Sequence, residues 1–191
     1  MQKAVIICPG IHNPQLTQEF LAGLQRCDSG NAWRVQQLLI FNSQEYPAYS
    51  AIHILNYLQR HITPGNTSLT FISFSAGVVG AIGAAWGWQM LGGTVKALVA
   101  LDGWGVPLYG TFPIYRLSHD YFTHWSSALL GSGESRFYAD PAVEHLKLWE
   151  KPDNCLGWRV LRVRNGGEWR RYITAAEFVV QLVQDQPFSD R

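Results

Sequence analysis

Charge is scarce in this chain. Of its 191 residues only 15 % are Asp, Glu, Lys or Arg, and they balance to +1 at pH 7. Such a composition supplies no basic face for a nucleic acid or an anionic membrane, so neither is expected as a partner. Cysteine is nearly missing too. Cys8, Cys27 and Cys155 are odd in number, widely spaced and without a C-x-x-C pair, which argues against a disulfide framework and reads as reduced thiols in a cytoplasmic chain. The opening Met1-Gln2-Lys3 runs into a strand pattern without the cationic and apolar regions of a secretory leader, so secretion is not expected. There is no internal repeat and no low-complexity tract. Neither G-x-x-x-x-G-K-[ST] nor a strand-linked G-x-G-x-x-G occurs, which leaves nucleotide chemistry without support.

The longest uncharged stretch lies between Arg60 and Lys96. Its length raises the question of a membrane span. Six glycines between Gly77 and Gly93, together with Thr70, Ser73, Ser75 and Gln89, give it the composition of a helix buried inside a domain rather than one facing lipid. No stable membrane span is therefore expected. Small residues at Gly77, Gly80, Ala81, Ala84 and Gly87 form one stripe at helical spacing, along which a helix can approach a sheet closely.

What is present is an alternation of strands and helices. Residues 3–8 (KAVIIC) form a continuous apolar strand of the kind buried on both faces of a parallel sheet. Leu16, Phe20, Leu21 and Leu24 mark an amphipathic helix over 15–27, closed by the turn at 28–31. A second strand is expected over 35–41, a helix from Tyr46-Pro47 to about His61, and a turn at 63–66. Strands follow at 69–72, 96–101, 115–118 and 136–139, with a crossover helix over 123–130 closed by Gly131-Ser132-Gly133. Asp140-Pro141 resembles a helix start, with an N-cap carboxylate and a proline in the first turn. Beyond it, 158–164 and 168–173 flank Asn165-Gly166 as a hairpin, and Thr174-Ala175-Ala176-Glu177 is a capping box for a last helix. The arginines at 159, 162, 164, 170 and 171 are read as a solvated hairpin face. Length and alternation together predict one α/β domain over 1–191: a three-layer α/β/α sandwich with a mostly parallel sheet, plus a small C-terminal hairpin and helix.

Chemistry concentrates where the apolar run 69–72 feeds into Ser73-Phe74-Ser75-Ala76-Gly77 and then a helix. A serine at so sharp a strand-to-helix turn is lifted above the sheet, and a glycine two residues on keeps the turn free of clashes. Ser73-x-Ser75-x-Gly77 resembles the nucleophile elbow of the α/β-hydrolase superfamily, usually Gly-x-Ser-x-Gly, with serine in place of the first glycine. The resemblance covers residues 3 to about 149 and implies the α/β-hydrolase fold without an evident lid domain. It also implies esterase, lipase or thioesterase chemistry with Ser75 as nucleophile. Pro9-Gly10 stands where the family has its oxyanion loop, often His-Gly, so the amides of Ile11 and Ala76 would be the oxyanion donors.

A serine needs a base, and the base needs a carboxylate to fix its tautomer. The family orders these as Ser, acid, His. Asp120, closing a later strand, is the first candidate for the acid. Asp102, ending the strand directly after the elbow helix, is the alternative, a position used by a minority of lipases; whichever is not the acid is expected to cap backbone amides. His145, after the last parallel strand, is the candidate base, with His124 as the alternative beside Asp102. His119 is set aside because neighbours in an extended segment point to opposite sides. A metal on His119, Asp120 and His124 matches no standard spacing, and no cofactor is expected. Trp104, Tyr121 and Trp125 are candidates to line an apolar acyl pocket. The expected function is hydrolysis of a small-molecule ester or thioester with an apolar acyl part. The alternative is a hydrolase-fold binding protein without turnover.

Overall fold

A computed structural model describes residues 1–28, 37–130, 135–162 and 167–184. Eight strands form one sheet. They are β1 (Gln2–Cys8), β2 (Gln37–Ile40), β3 (Thr67–Phe74), β4 (Thr94–Leu101), β5 (Ile114–Ser118), β6 (Ser135–Ala139), β7 (Leu156–Arg162) and β8 (Glu168–Thr174). Their spatial order is β2-β1-β3-β4-β5-β6-β7-β8, parallel through β6 and antiparallel for the last two. Six helices are described: α1 (Pro14–Cys27), α2 (Ala51–His61), α3 (Ala76–Met90), α4 (Tyr121–Ala128), α5 (His145–Glu150) and α6 (Ala175–Gln184). The turns expected at 29–31, 131–133 and 165–166, and the start of the second strand at 35–36, lie outside the described residues.

Two apolar clusters, one on each side of the sheet, explain why the parallel strands are apolar on both faces. Val5, Ile7, Ile72, Phe74, Val99 and Leu101 point to the side covered by α1, α5 and α6, where Trp149 stacks on Phe20 at 3.8 Å. Ala4, Ile6, Cys8, Phe71, Leu98 and Ala100 point to the side covered by α2 and α3, around the fully buried Trp88. The arrangement is compatible with a three-layer α/β/α sandwich. No described helix is long and apolar enough to cross a membrane. The glycine stripe of α3 was expected to meet the sheet, but beyond Gly77 it meets α2 and the turn before it: a β-carbon at Gly80 would come within 2.5 Å of the Ala48 carbonyl oxygen and 2.6 Å of Ile54 Cδ1, and one at Gly87 within 2.8 Å of Leu55 Cδ2.

Three expectations need correction. Asp140-Pro141 does not open a helix; the Asp140 carboxylate accepts from Trp158 Nε1 at 2.9 Å, and α5 begins only at His145. Arg159 is not solvated. Its face of the hairpin is covered by α6, so the residue is 2 % exposed; its guanidinium donates to Ser135 Oγ and Gln181 Oε1 and lies 5.7 Å from the Phe178 ring. The helix expected from Tyr46 starts at Ala51. The capping box of α6 forms as read: Glu177 N donates to Thr174 Oγ1 at 3.1 Å and Thr174 N to Glu177 Oε2 at 2.7 Å.

Candidate functional site

Parallel strands end their carbonyl edges together, and the ends of β3, β4 and β5 meet at one place. Ser75 N donates to Leu101 O at 2.9 Å, and Asp102 N donates to Leu117 O at 2.8 Å. Each residue is thereby pinned by the strand beside it just as its own strand stops. Both pay for the position in backbone strain: Ser75 has φ 52° and Asp102 φ 50°, and among the described residues no other non-glycine side chain has positive φ. Left-handed φ is unfavourable for a residue with a β-carbon and concentrates at functional sites.

The turn explains its own sequence. A β-carbon at Gly77 would lie 2.3 Å from Cys8 O and 2.5 Å from Pro9 O, so only glycine lets α3 start against β1. Ser73 needs no such room. Its buried hydroxyl donates to Val99 O at 3.1 Å, which accounts for serine in the first position of the motif. Gly10 brings the loop after β1 against the elbow, where a β-carbon would meet Ser75 Cβ and Phe74 O, each at 3.1 Å. Ile11 follows on that loop with its side chain in solvent. Ala76 opens α3, whose first amides have no partner within the helix.

Ser75, Ala76, Asp102, His119 and His145 line one cavity of about 380 Å³, together with Val79, Trp104, Val106 and Thr123. His145 Nδ1 sits 2.9 Å from Asp102 Oδ2, and the ring stacks on Phe74 at 4.7 Å. The Asp102 side chain is 1 % exposed and its other oxygen accepts from His119 N at 2.8 Å. A buried carboxylate held on both oxygens is a rigid orienting group.

The carboxylate expected on His145 was Asp120, and the structure corrects this. Asp120 caps α4, accepting from Thr123 N at 2.6 Å. Burial pushes that carboxyl up, but Thr123 and the neighbouring His119 hold it below the usual range. Its capping role is the one expected of the unused acid. His124 is also displaced from the site: it is buried against Tyr138, 4.8 Å between ring centres, and desolvation lowers its imidazole to about 4. Of the aromatics expected in the pocket, Trp104 lines it. Tyr121 and Trp125 are exposed and outside its lining.

His119 was not anticipated here. Its Nδ1 lies 2.9 Å from the same Asp102 oxygen that holds His145, without a directed hydrogen bond, and its Nε2 lies 3.5 Å from Asp120 Oδ2. The Asp102 carboxylate raises the His119 imidazole above its ordinary value. The signal that could have found it is its place, directly after β5 on the edge where the other site residues stand. The donors of Asp102, His119 and His145 all fall within 4.8 Å of one another, a different group from the His119, Asp120 and His124 weighed for a metal in the sequence.

A strained serine, an imidazole paired with a buried carboxylate and the Ala76 backbone at the start of α3 share one open cavity, a grouping whose chemistry is the polarisation of a hydroxyl. Comparison with protein-family models and with curated proteins finds no match for the chain.

Proposed function

We propose that the chain is a serine hydrolase of the α/β-hydrolase kind that cleaves a carboxylic ester or thioester through an acyl-enzyme on Ser75. The observation that carries this reading is the pairing of His145 Nδ1 with Asp102 at 2.9 Å in the cavity that also holds the positive-φ Ser75. The hydrogen bond at Nδ1 fixes the tautomer whose Nε2 is a base. Ser75 Oγ then attacks the carbonyl carbon as its proton passes to His145 Nε2. The oxyanion is received by the amides of Ile11 and Ala76, at the loop that Gly10 presses against Ser75 and at the start of α3. His145 returns the proton to the leaving alcohol or thiol. Water, deprotonated by the same imidazole, releases the acid and restores Ser75.

The test is covalent labelling of purified protein by a fluorophosphonate at neutral pH. Wild type should label, and Ser75→Ala and His145→Ala should not. A folded wild type that stays unlabelled would overturn the hydrolase reading and leave a hydrolase-fold pocket that binds without turnover.

A further inference from the structure

α4 is built inside out. A helix on a protein surface ordinarily turns its apolar side inward, yet here the buried positions are Thr123, His124 and Ser127, while Tyr121, Phe122 and Trp125 stand in solvent at 58 %, 64 % and 56 % exposure. Leu129, just past its end, is 73 % exposed. The loop between β4 and β5 extends the same surface with Trp104 and Tyr109, 65 % and 62 % exposed. Trp104 ties the two segments together by donating from Nε1 to Ser126 Oγ at 3.1 Å, and it also lines the Ser75 cavity. Scattered exposed apolar side chains are normal, but a continuous aromatic surface marks a binding face.

The charge pattern selects the occupant. Residues 103–115 and 121–130 contain no Asp, Glu, Lys or Arg, and Arg170, which flanks Tyr121, is paired with Glu168 at 2.9 Å. An anionic bilayer or an acidic protein would call for Lys and Arg here, and a basic partner for carboxylates. Tyr and Trp with an apolar body and a polar edge suit the boundary between water and acyl chains. A second copy of the chain laid on this face would cover Trp104 and with it the cavity mouth, whereas a lipid surface would lie open to it. We infer that α4 and the loop at 103–111 dock the protein on an uncharged or zwitterionic lipid surface, setting the mouth of the Ser75 cavity against it.

The inference rests on the proposed function only in naming the substrate class, esters or thioesters held in such a surface; the docking itself needs no catalysis. Flotation with phosphatidylcholine vesicles tests it, beside the double variant Phe122→Ser, Trp125→Ser and the single variant Leu129→Ser. Wild type should float with the vesicles, with a blue shift in tryptophan emission and no loss as salt is raised. The double variant should bind about tenfold or more weakly while keeping its circular dichroism and its labelling by the water-borne fluorophosphonate. Leu129→Ser should weaken binding in the same direction. Absence of wild-type binding would overturn the inference, as would binding restricted to anionic vesicles and fading with salt. A stable dimer that the double variant converts to monomer would overturn it in favour of a second copy. A protein that floats but does not label would sink the hydrolase reading alone; one that labels but does not float would sink the docking alone.

Discussion

Asp102→Asn is the substitution on which the mechanism turns. Asparagine has the same shape, and it is among the few residues that tolerate the left-handed φ of 50° found there. Its carbonyl would keep the hydrogen bond from His119 N, now 2.8 Å from Asp102 Oδ1. The amide NH2 then replaces Oδ2, which lies 2.9 Å from His145 Nδ1. A donor facing Nδ1 demands that Nδ1 accept, so the ring proton moves to Nε2 and the base is lost without any movement of the backbone. Where an imidazole is locked in the wrong tautomer the rate falls on the order of 10^4-fold, or about 5.4 kcal/mol of transition-state stabilisation. The assay is the second-order rate of fluorophosphonate labelling, with thermal unfolding as a control for folding. Asp120→Asn is the matched comparison. Asparagine caps helices as well as aspartate does, so the bond from Thr123 N at 2.6 Å survives and labelling should stay near wild type. Fast labelling of Asp102→Asn, or its loss in Asp120→Asn, would refute the assignment of the acid.

His119 and His145 approach one carboxylate, but His119 turns its second nitrogen towards Asp120 Oδ2 at 3.5 Å. His119→Gln should therefore label within about tenfold of wild type and His145→Gln on the order of 10^3-fold more slowly, with the reverse pattern naming His119 as the base. Gly77→Ala places a β-carbon 2.3 Å from Cys8 O and should cost about 3 kcal/mol or more by thermal or chemical unfolding, since both facing atoms are backbone. Burial lowers the His124 imidazole from 6.5 to about 4. The unfolded chain therefore binds the proton more readily, and stability holds above pH 6.5 but is lost as pH falls through about 4, by about 3 kcal/mol in all. His124→Gln should remove that component from denaturant midpoints measured across the range. A chelator should leave labelling unchanged and added Zn2+ should slow it by competing for Asp102, His119 and His145, whose donors lie within 4.8 Å of one another. Loss of labelling with chelator and recovery with Zn2+ would instead make the cluster a metal centre.

The parallel strands were legible because burial on both faces writes an uninterrupted apolar run, as in KAVIIC and KALVAL. The hairpin was legible in pairing, and in exposure at Arg170 and Arg171, but it was misread at Arg159. Alternating apolar and basic residues in β7 say that two faces differ, not what lies over each. α6 lies over Arg159, and nothing local to 158–162 records that a helix formed after residue 174 will return there. Asp140 failed for a related reason. Its side chain has two uses, a helix cap or a distant partner, and Trp158 Nε1, 18 residues on, takes it.

The elbow could be read because strand, serine, glycine and helix are contiguous, although what demands Gly77 is distant in sequence: the carbonyls of Cys8, at the end of β1, and of Pro9 just past it. The acid could not be read that way. Asp102 and Asp120 both follow strands on the carboxyl edge, and chain order allows either. What separates them is direction. At φ 50° the Asp102 carboxylate is buried beneath His145, whereas Asp120 begins a helix and spends its oxygen on the first turn. The alternation that set His119 against Asp120 was sound as geometry and incomplete as inference. A residue that points away from one neighbour points towards another, and on this sheet edge the other neighbour is Asp102, one strand over, whose last backbone amide is already bonded to Leu117. Chain order and the resemblance put Asp120 on His145, whereas strand adjacency, which only the assembled sheet supplies, brings Asp102, His119 and His145 together beside Ser75.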